Sequence, residues 1–315
     1  MRWTGTRSAR DRGPVGLLEA QASSEIENIV TTTDELFSAA ASEPTASPAA
    51  REALRYRSAL RWGHDQLGRR PLTASTASGV CAIIRGHDEG VRRGEVFIGD
   101  PASRRRVHTP PAGREALGGL LDNWSTFLNE PSDLDPLVRM AVAHYQFEAI
   151  HPFTDGNGRT GRIMNVLMLC DAGLLHLPLL YLSRYFIEHK DEYYRLLRLV
   201  TSDGAWEEWV LYVVEGVRSV AARTCELIDR IEDVQAGVLD AVREVAGSAN
   251  HDLVALLMEH PYARSIEVIE RCGVSRPTAV KWLRGLVAAG VLEEVRAGRQ
   301  VLFINRPMMG VLTAS

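Results

Sequence analysis

Twelve consecutive residues of this 315-residue chain combine types and spacing that can do chemistry: His151, Pro152, Phe153, Thr154, Asp155, Gly156, Asn157, Gly158, Arg159, Thr160, Gly161 and Arg162. Imidazole titrates near neutrality, so His151 is a general-base candidate for any nucleophile that reaches it. Pro152 cannot continue an incoming helix, which leaves His151 at a helix exit, on the lip of a loop. Gly156 and Gly158 permit positive φ and close backbone approach, so consecutive N–H groups can converge. A helix opening near Gly158 turns its positive end into the same concavity. That arrangement is an anion cradle. Arg159 and Arg162, three residues apart, share a helix face and can clamp further phosphate oxygens with paired donors. Asp155 is a hard oxygen ligand beside polyphosphate, where Mg2+ is expected. The loop reads as a site for a Mg-nucleotide with a base at its edge.

The elements that must hold this loop are helices. Apolar periodicity predicts them over about 113–128, 134–150, 158–171, 189–200 and 206–245, the last in pieces. Upstream, residues 1–22 are rich in Arg and Gly without periodicity and read as an irregular arm. A first helix then starts at Ser24, whose hydroxyl and Glu27 form a capping-box pattern. It ends in the Ala, Ser and Pro punctuation of 39–50, after which Ser47 and Pro48 open a second helix to about Leu67. One strand is expected at Val96, Phe97 and Ile98, followed by Gly99, Asp100 and Pro101 and the basic run Arg104, Arg105, Arg106. From about residue 250 the grammar changes to three short helices and two strands, 292–295 and 301–304, which is the order of a winged helix-turn-helix. The fold class is thus mainly α, with a short β-hairpin and a small C-terminal module. The domain limits are 1–22, 23–92, 93–249 and 250–315.

Composition excludes several classes. Charged residues make up 24% and apolar residues 45%, the proportions of a folded soluble protein. With 36 Lys and Arg against 40 Asp and Glu, no chain-wide field draws the protein to nucleic acid or anionic lipid. The four cysteines are scattered, forming neither a zinc module nor a disulfide framework, which fits a reducing cytoplasmic location. The most apolar stretch, 164–182, carries Asp171, His176 and Pro178 and reads as a buried helix followed by a loop, so no membrane segment is expected.

The twelve-residue segment resembles the motif of the Fic (filamentation induced by cAMP) family, H-x-F-x-[D/E]-G-N-G-R-x-x-R, at every specified position. The resemblance implies a Fic-type helical domain and an activity: transfer of AMP from Mg-ATP to a Ser, Thr or Tyr hydroxyl of a target protein, with pyrophosphate leaving. Carried over, His151 is the base and Asp155 the Mg2+ ligand. Gly156, Asn157 and Gly158 form the phosphate cradle, and Thr160 and Gly161 belong to the same ATP-binding run. Arg159 serves the inner phosphates, Arg162 the γ-phosphate, and Phe153 anchors the loop. Gly94 to Gly99, with Pro110 and Pro111, match the family's flap, a hairpin that pairs with an extended target segment around Val96 to Gly99. Tyr193, Tyr194, Leu197 and Trp206 resemble the closing helices, with Tyr194 flanking the adenine. Ser23, Glu27 and Asn28 fit the inhibitory pattern [S/T]-x-x-x-E-[G/N], which implies that Glu27 pairs with Arg162 and keeps the resting activity low. The similarity runs over about 23–217, and it implies self-modification and a homodimer as possibilities.

Simpler readings stand beside these. Glu27 can be a capping residue alone, and Tyr194 can be plain core. His144, Glu148 and His151 have the i, i+4, i+7 spacing of metal ligands, although that leaves the Gly-Asn-Gly-Arg loop unexplained, and His144 is better read as a hydrogen-bonded core residue. The C-terminal module offers Arg276, Thr278, Lys281, Arg284, Arg296 and Arg299 to DNA. Its eight Arg and Lys against six Asp and Glu over 251–315 are a weak footprint, and protein contact or dimer building is the better reading. Other activities to weigh are a Fic-type transferase using another nucleotide, AMP removal, and a DNA-binding regulator whose Fic domain senses nucleotide without turnover.

Overall fold

The computed structural model describes residues 15–41, 46–99, 106–297 and 300–314. Contacts divide the chain into two compact units, one of Met1–Gln21, Thr31–Arg51 and Ala221–Ser315, the other of Ala22–Val30 and Glu52–Val220.

The site-bearing unit is helical. α1 (Val15–Ile26) precedes α2 (Thr33–Ala41), which belongs to the other unit, then α3 (Pro48–Gln66) and α4 (Ala74–Arg85); unit boundaries fall within α1, within α3 and within the long helix Trp206–Ala246. β1 (Ile98–Gly99) pairs antiparallel with β2 (Arg106–His108). α5 (Arg114–Asn129), α6 (Pro136–Ile150), α7 (Asn157–Asp171), α8 (Leu182–Glu188) and α9 (Lys190–Asp203) follow, then α10 (Trp206–Ala246). α7 is buried on nearly all sides, Arg159 through Leu167 without a break, so it is the central helix against which the others pack. Trp124 and Trp209 are buried and spend their indole N–H groups on the α6 carbonyls of Ala143 and Ala141. α5 and α10 are thereby tied to α6, which packs against α7 on the other side of the loop that joins them.

The other unit contains α11 (His251–Glu259), β3 (Tyr262–Ala263), α12 (Ser265–Cys272), α13 (Arg276–Ala288), β4 (Leu292–Ala297), β5 (Gln300–Asn305) and α14 (Arg306–Thr313), with strands in the order β3-β5-β4. Three helices and a hairpin come in the expected order, with β3 and α14 in addition. Tyr262 donates to the Asp34 carboxylate of α2, at 2.5 Å, within the same unit.

Several expectations need correction. The first helix begins at Val15, inside the segment expected to be an irregular arm, because its apolar residues Val15, Leu17, Leu18, Ala20, Ala22 and Ile26 are all buried; residues 1–14 lie outside the described set. Ser24 is therefore a buried residue in the last turn of α1, not an N-cap, and Glu27 follows the helix end. α4 is a helix that the periodicity does not predict, since its Ala, Ser, Thr and Gly content hides the apolar spacing. α10 is one uninterrupted helix of 41 residues, not pieces. α8 starts at Leu182, the last residue of the apolar stretch expected to be helix and loop, and is a helix that the periodicity does not predict. The expected strand pairs at Ile98 and Gly99 rather than from Val96, and Asp100, Pro101, Arg104, Arg105 and Arg299 lie outside the described residues. Among the described residues no helix is long and apolar enough to cross a membrane.

Candidate active site

The loop between α6 and α7 is built by backbone specialisation. His151 caps α6 in the left-handed conformation, φ 51°, with its N–H donating to the Phe147 carbonyl at 2.9 Å. Such a conformation is uncommon outside glycine and persists only when the surroundings hold it. Here the holder is Arg92, which is 3% exposed. Its Nε donates to the His151 carbonyl at 2.8 Å and its backbone N–H to the Pro152 carbonyl at 2.9 Å. Gly156, φ 86°, caps α7, and its carbonyl accepts from Thr160 N–H at 3.0 Å. Between them the Asn157 amide braces the loop, accepting from Phe153 N–H and donating to the Phe153 carbonyl, both at 2.8 Å. Phe153 is buried against Phe147, with ring centroids 6.1 Å apart, which is the anchoring expected of it.

The α7 N-terminus is an anion site by its dipole and its unpaired first-turn amides. A carboxylate is already there. A Cβ at Gly158 would overlap Glu27 Oε1, so this carboxylate lies directly against the first turn of α7. Glu27 Oε1 accepts from Arg162 Nη2 at 2.9 Å, and Arg162 also donates through Nε to Ser23 Oγ at 2.8 Å and through Nη2 to the Ser23 carbonyl at 2.9 Å. Arg162 is 2% exposed and Glu27 33%. Burial alone would raise the Glu27 pKa, but the charge and hydrogen bond of Arg162 outweigh it and hold the carboxyl below its usual value. The chain can place Glu27 there because Asn28 adopts φ 62° and ends α1. This explains physically why a Gly or Asn follows the glutamate in the pattern.

Arg159, 4% exposed, bonds Asp155 Oδ1 through Nη2 at 3.0 Å and pairs with Glu52 on α3. Asp155 itself stays exposed, with Oδ2 3.9 Å from Arg85 Nε. Both motif arginines thus have carboxylate partners. His151 is half-buried, and burial pulls its pKa down to about 4, leaving the ring neutral and able to accept a proton at neutral pH. Glu148, one turn earlier on α6, is pushed up to about 7 by burial.

Not every expected residue faces the site. Thr160 is fully buried, and Gly161 is where α6 and α7 touch: a Cβ there would lie 2.5 Å from Glu148 Oε1 and 3.2 Å from Phe147 Cδ1. Both residues take part in the packing of α7. The Asn157 side chain likewise serves the loop itself. Tyr194 is 36% exposed and meets Tyr193 edge-on at 5.1 Å, with Glu27 and Arg162 among the charges its hydroxyl feels. Tyr193 is core, bonded through its hydroxyl to His144 Nε2 at 2.9 Å. His144 stacks between Phe186 and Trp209, and burial lowers its pKa to about 3. Among the described residues no group of three or more His, Cys, Asp or Glu assembles as a metal site. Sequence reasoning missed Arg92 and Glu52, because no pattern within one chain marks a lone arginine or glutamate that meets the loop only in three dimensions. In the C-terminal module Arg276 and Lys281 are exposed, while Arg284 faces Glu294 at 3.5 Å.

Three family models match the chain in succession: Fic/DOC family N-terminal over residues 13–65, Fic/DOC family over 75–169, and the C-terminal domain of SoFic-like protein adenylyltransferase over 238–308. The chain is 35% identical over 129 residues to the protein adenylyltransferase fic-1 of Caenorhabditis briggsae, covering 40% of this chain and 22% of that protein. It is 32% identical over 126 residues to the protein adenylyltransferase Fic of Drosophila willistoni, covering 39% and 22%. The match thus spans about a fifth of the length of these curated relatives. In fold it is similar to a Fic family protein from Desulfovibrio desulfuricans G20, with a TM-score of 0.61 at 22% identity over 95% of this chain and 88% of that one. A fic-1 fragment from Caenorhabditis elegans gives 0.56 at 21% identity, over 72% and 68%. With the complete motif, the helical fold and three consecutive family matches in hand, this chain belongs to the Fic family.

Proposed function

We propose that the protein is an adenylyltransferase that transfers AMP from Mg-ATP to a Ser, Thr or Tyr hydroxyl of a target protein, and that Glu27 holds it in a low-activity state. The supporting observation is the Glu27 carboxylate lying against Gly158 and bonded to Arg162, a negative group in the cradle that the motif forms for a phosphate. In this reading the first-turn amides of α7 and the two arginines bind the triphosphate, with Arg162 on the γ-phosphate and Arg159 on the inner phosphates. The neutral His151 imidazole takes the proton of the attacking hydroxyl. The hydroxyl oxygen bonds to the α-phosphorus, the bond from that phosphorus to the bridging oxygen breaks, and pyrophosphate leaves.

Asp155 fits Mg2+: it is an exposed carboxylate beside the cradle, with Oδ1 on Arg159. When bound there, the ion supplies charge neutralisation for the phosphates. Glu27 and a phosphate contend for the same guanidinium, so nucleotide is mispositioned while the pair persists.

Labelled Mg-ATP given to the purified protein tests the activity, with intact mass as the readout of self-modification. The expected result is addition of AMP, absent in His151→Ala; addition that persists in a folded His151→Ala protein would remove the assigned base. The flap around Val96 to Gly99 is read as the surface that pairs with the target. The C-terminal module is read as a protein-contact or dimer-building element rather than a DNA reader, since its positive charge barely exceeds its negative charge and Arg284 faces Glu294. Salt-dependent retardation of duplex DNA would reverse that reading.

A further inference from the structure

Arg92 occupies a position that neither the motif nor the inhibitory pattern uses. It is buried, among the described residues no carboxylate lies within salt-bridge distance of it, and its guanidinium bonds the backbone carbonyls of four residues. Nη1 donates to the Gly94 carbonyl at 2.8 Å, and Nη2 to the Pro111 carbonyl at 2.5 Å. Gly94 and Pro111 flank the β1–β2 ribbon on its two sides. Nη2 also reaches the Ile150 carbonyl at 3.3 Å, and Nε bonds the His151 carbonyl at 2.8 Å. The Arg92 backbone N–H closes the set on the Pro152 carbonyl at 2.9 Å. One rigid planar fork therefore ties both roots of the ribbon to the peptide that carries His151 in its left-handed conformation.

We propose that Arg92 is a positioning residue that sets the register between the ribbon and the His151 imidazole, so that a hydroxyl presented along the ribbon arrives within reach of the base. The inference rests on the proposed transferase reading for its consequence in catalysis, but its structural half stands without it. A guanidinium suits this task where an ammonium does not, because its five donors lie in a fixed plane and can serve several carbonyls at once. Burial of an unpaired cation is costly, and here the carbonyl dipoles replace water. The nucleotide-contacting groups, Arg159, Arg162 and the α7 amides, make no bond to Arg92. Its loss is therefore expected to separate transfer from nucleotide binding.

The test uses the full chain in a Glu27→Gly background, with Arg92→Met and Arg92→Lys added singly. Three quantities are read: Mg-ATP affinity by calorimetry, the rate of self-AMPylation by intact mass at saturating ATP, and hydrogen exchange of the peptides covering 106–111 and 150–153. Arg92→Met is expected to keep ATP affinity within about twofold while transfer falls at least about tenfold, the loss expected when a reacting group is displaced by a fraction of an ångström or more. Arg92→Lys retains the charge but not the fork, and transfer is expected to remain well below the parent. Both peptides are expected to lose protection together while the rest of the unit stays protected. Full transfer in Arg92→Lys, a parallel fall of ATP affinity and transfer, or loosening of only one peptide overturns the proposal. If the Glu27→Gly parent binds ATP yet transfers no AMP, the activity reading fails, and the paired loss of protection still decides the positioning role.

Discussion

Replacing Glu27 by glycine is the perturbation whose outcome the structure specifies most fully. Arg162 is 2% exposed and loses one charge-assisted hydrogen bond of 2.9 Å, keeping the two that Ser23 provides through Oγ and its carbonyl. The guanidinium therefore stays aimed while its carboxylate competitor disappears. A hydrogen bond to a charged group is worth about 1.5–3 kcal/mol net, and Glu27 is one-third exposed, so about 2 kcal/mol is the reasonable figure. At 1.4 kcal/mol per factor of ten, productive nucleotide binding should improve roughly 30-fold. Glycine also removes the carboxylate from the α7 N-terminus, where a phosphate is favoured by the same dipole. The assay is initial-rate AMP transfer from labelled ATP, with thermal unfolding run in parallel. Glu27→Gln, which keeps the shape and loses the charge, should fall between wild type and Glu27→Gly. A folded Glu27→Gly protein with unchanged or lower transfer would refute the inhibitory role, and with it the claim that the carboxylate and the γ-phosphate share one guanidinium.

Other outcomes follow from the same geometry. His151→Ala should reduce transfer by a factor of about 10²–10⁴, the usual contribution of a positioned base, while ATP affinity measured by calorimetry stays within about threefold. Because burial lowers the His151 pKa to about 4, the neutral, proton-accepting ring persists as pH falls and is lost only near that value. The acid limb of kcat/KM in the Glu27→Gly protein should therefore lie well below 6.5, and a limb at 6.5 or above would contradict the burial argument. Gly161→Ala should destabilise the protein by about 1–2 kcal/mol in denaturant titration, since overpacking costs about 1–3 kcal/mol and alanine returns up to about 1 in helix propensity. The new methyl group would lie 3.2 Å from Phe147 Cδ1 and 3.3 Å from His144 Cε1, in the seam between α6 and α7. A neutral or stabilising result would show that the helices are not packed that closely.

Much of the chemistry was legible in the chain because it is local. His151, Asp155, the glycines and the two arginines lie within twelve residues, so the turn geometry and the helix N-terminus follow from Pro152, Gly156 and Gly158 without knowledge of the rest. The helices α5, α6, α7 and α9 were likewise readable, since apolar residues recur along them at helical spacing. Where local signals were ambiguous, burial decided. Ser24 and Glu27 spell a helix start, yet the burial of Val15, Leu17, Leu18 and Ala20 extends the helix upstream, so that Ser24 falls in its last turn and Glu27 just past its end.

What sequence alone determined, then, is the motif loop and the mainly helical frame, because both are written in contiguous spacing. What only the tertiary structure decided is which distant groups meet that loop: Glu27 against Gly158, Ser23 under Arg162, Glu52 beside Arg159, and Arg92 between the ribbon and His151. Those partners lie between 59 and 139 positions from the loop residues whose bonds they share. Contacts at that range are set by how helices pack around α7, and single charged or polar residues leave no periodic trace from which such packing can be read.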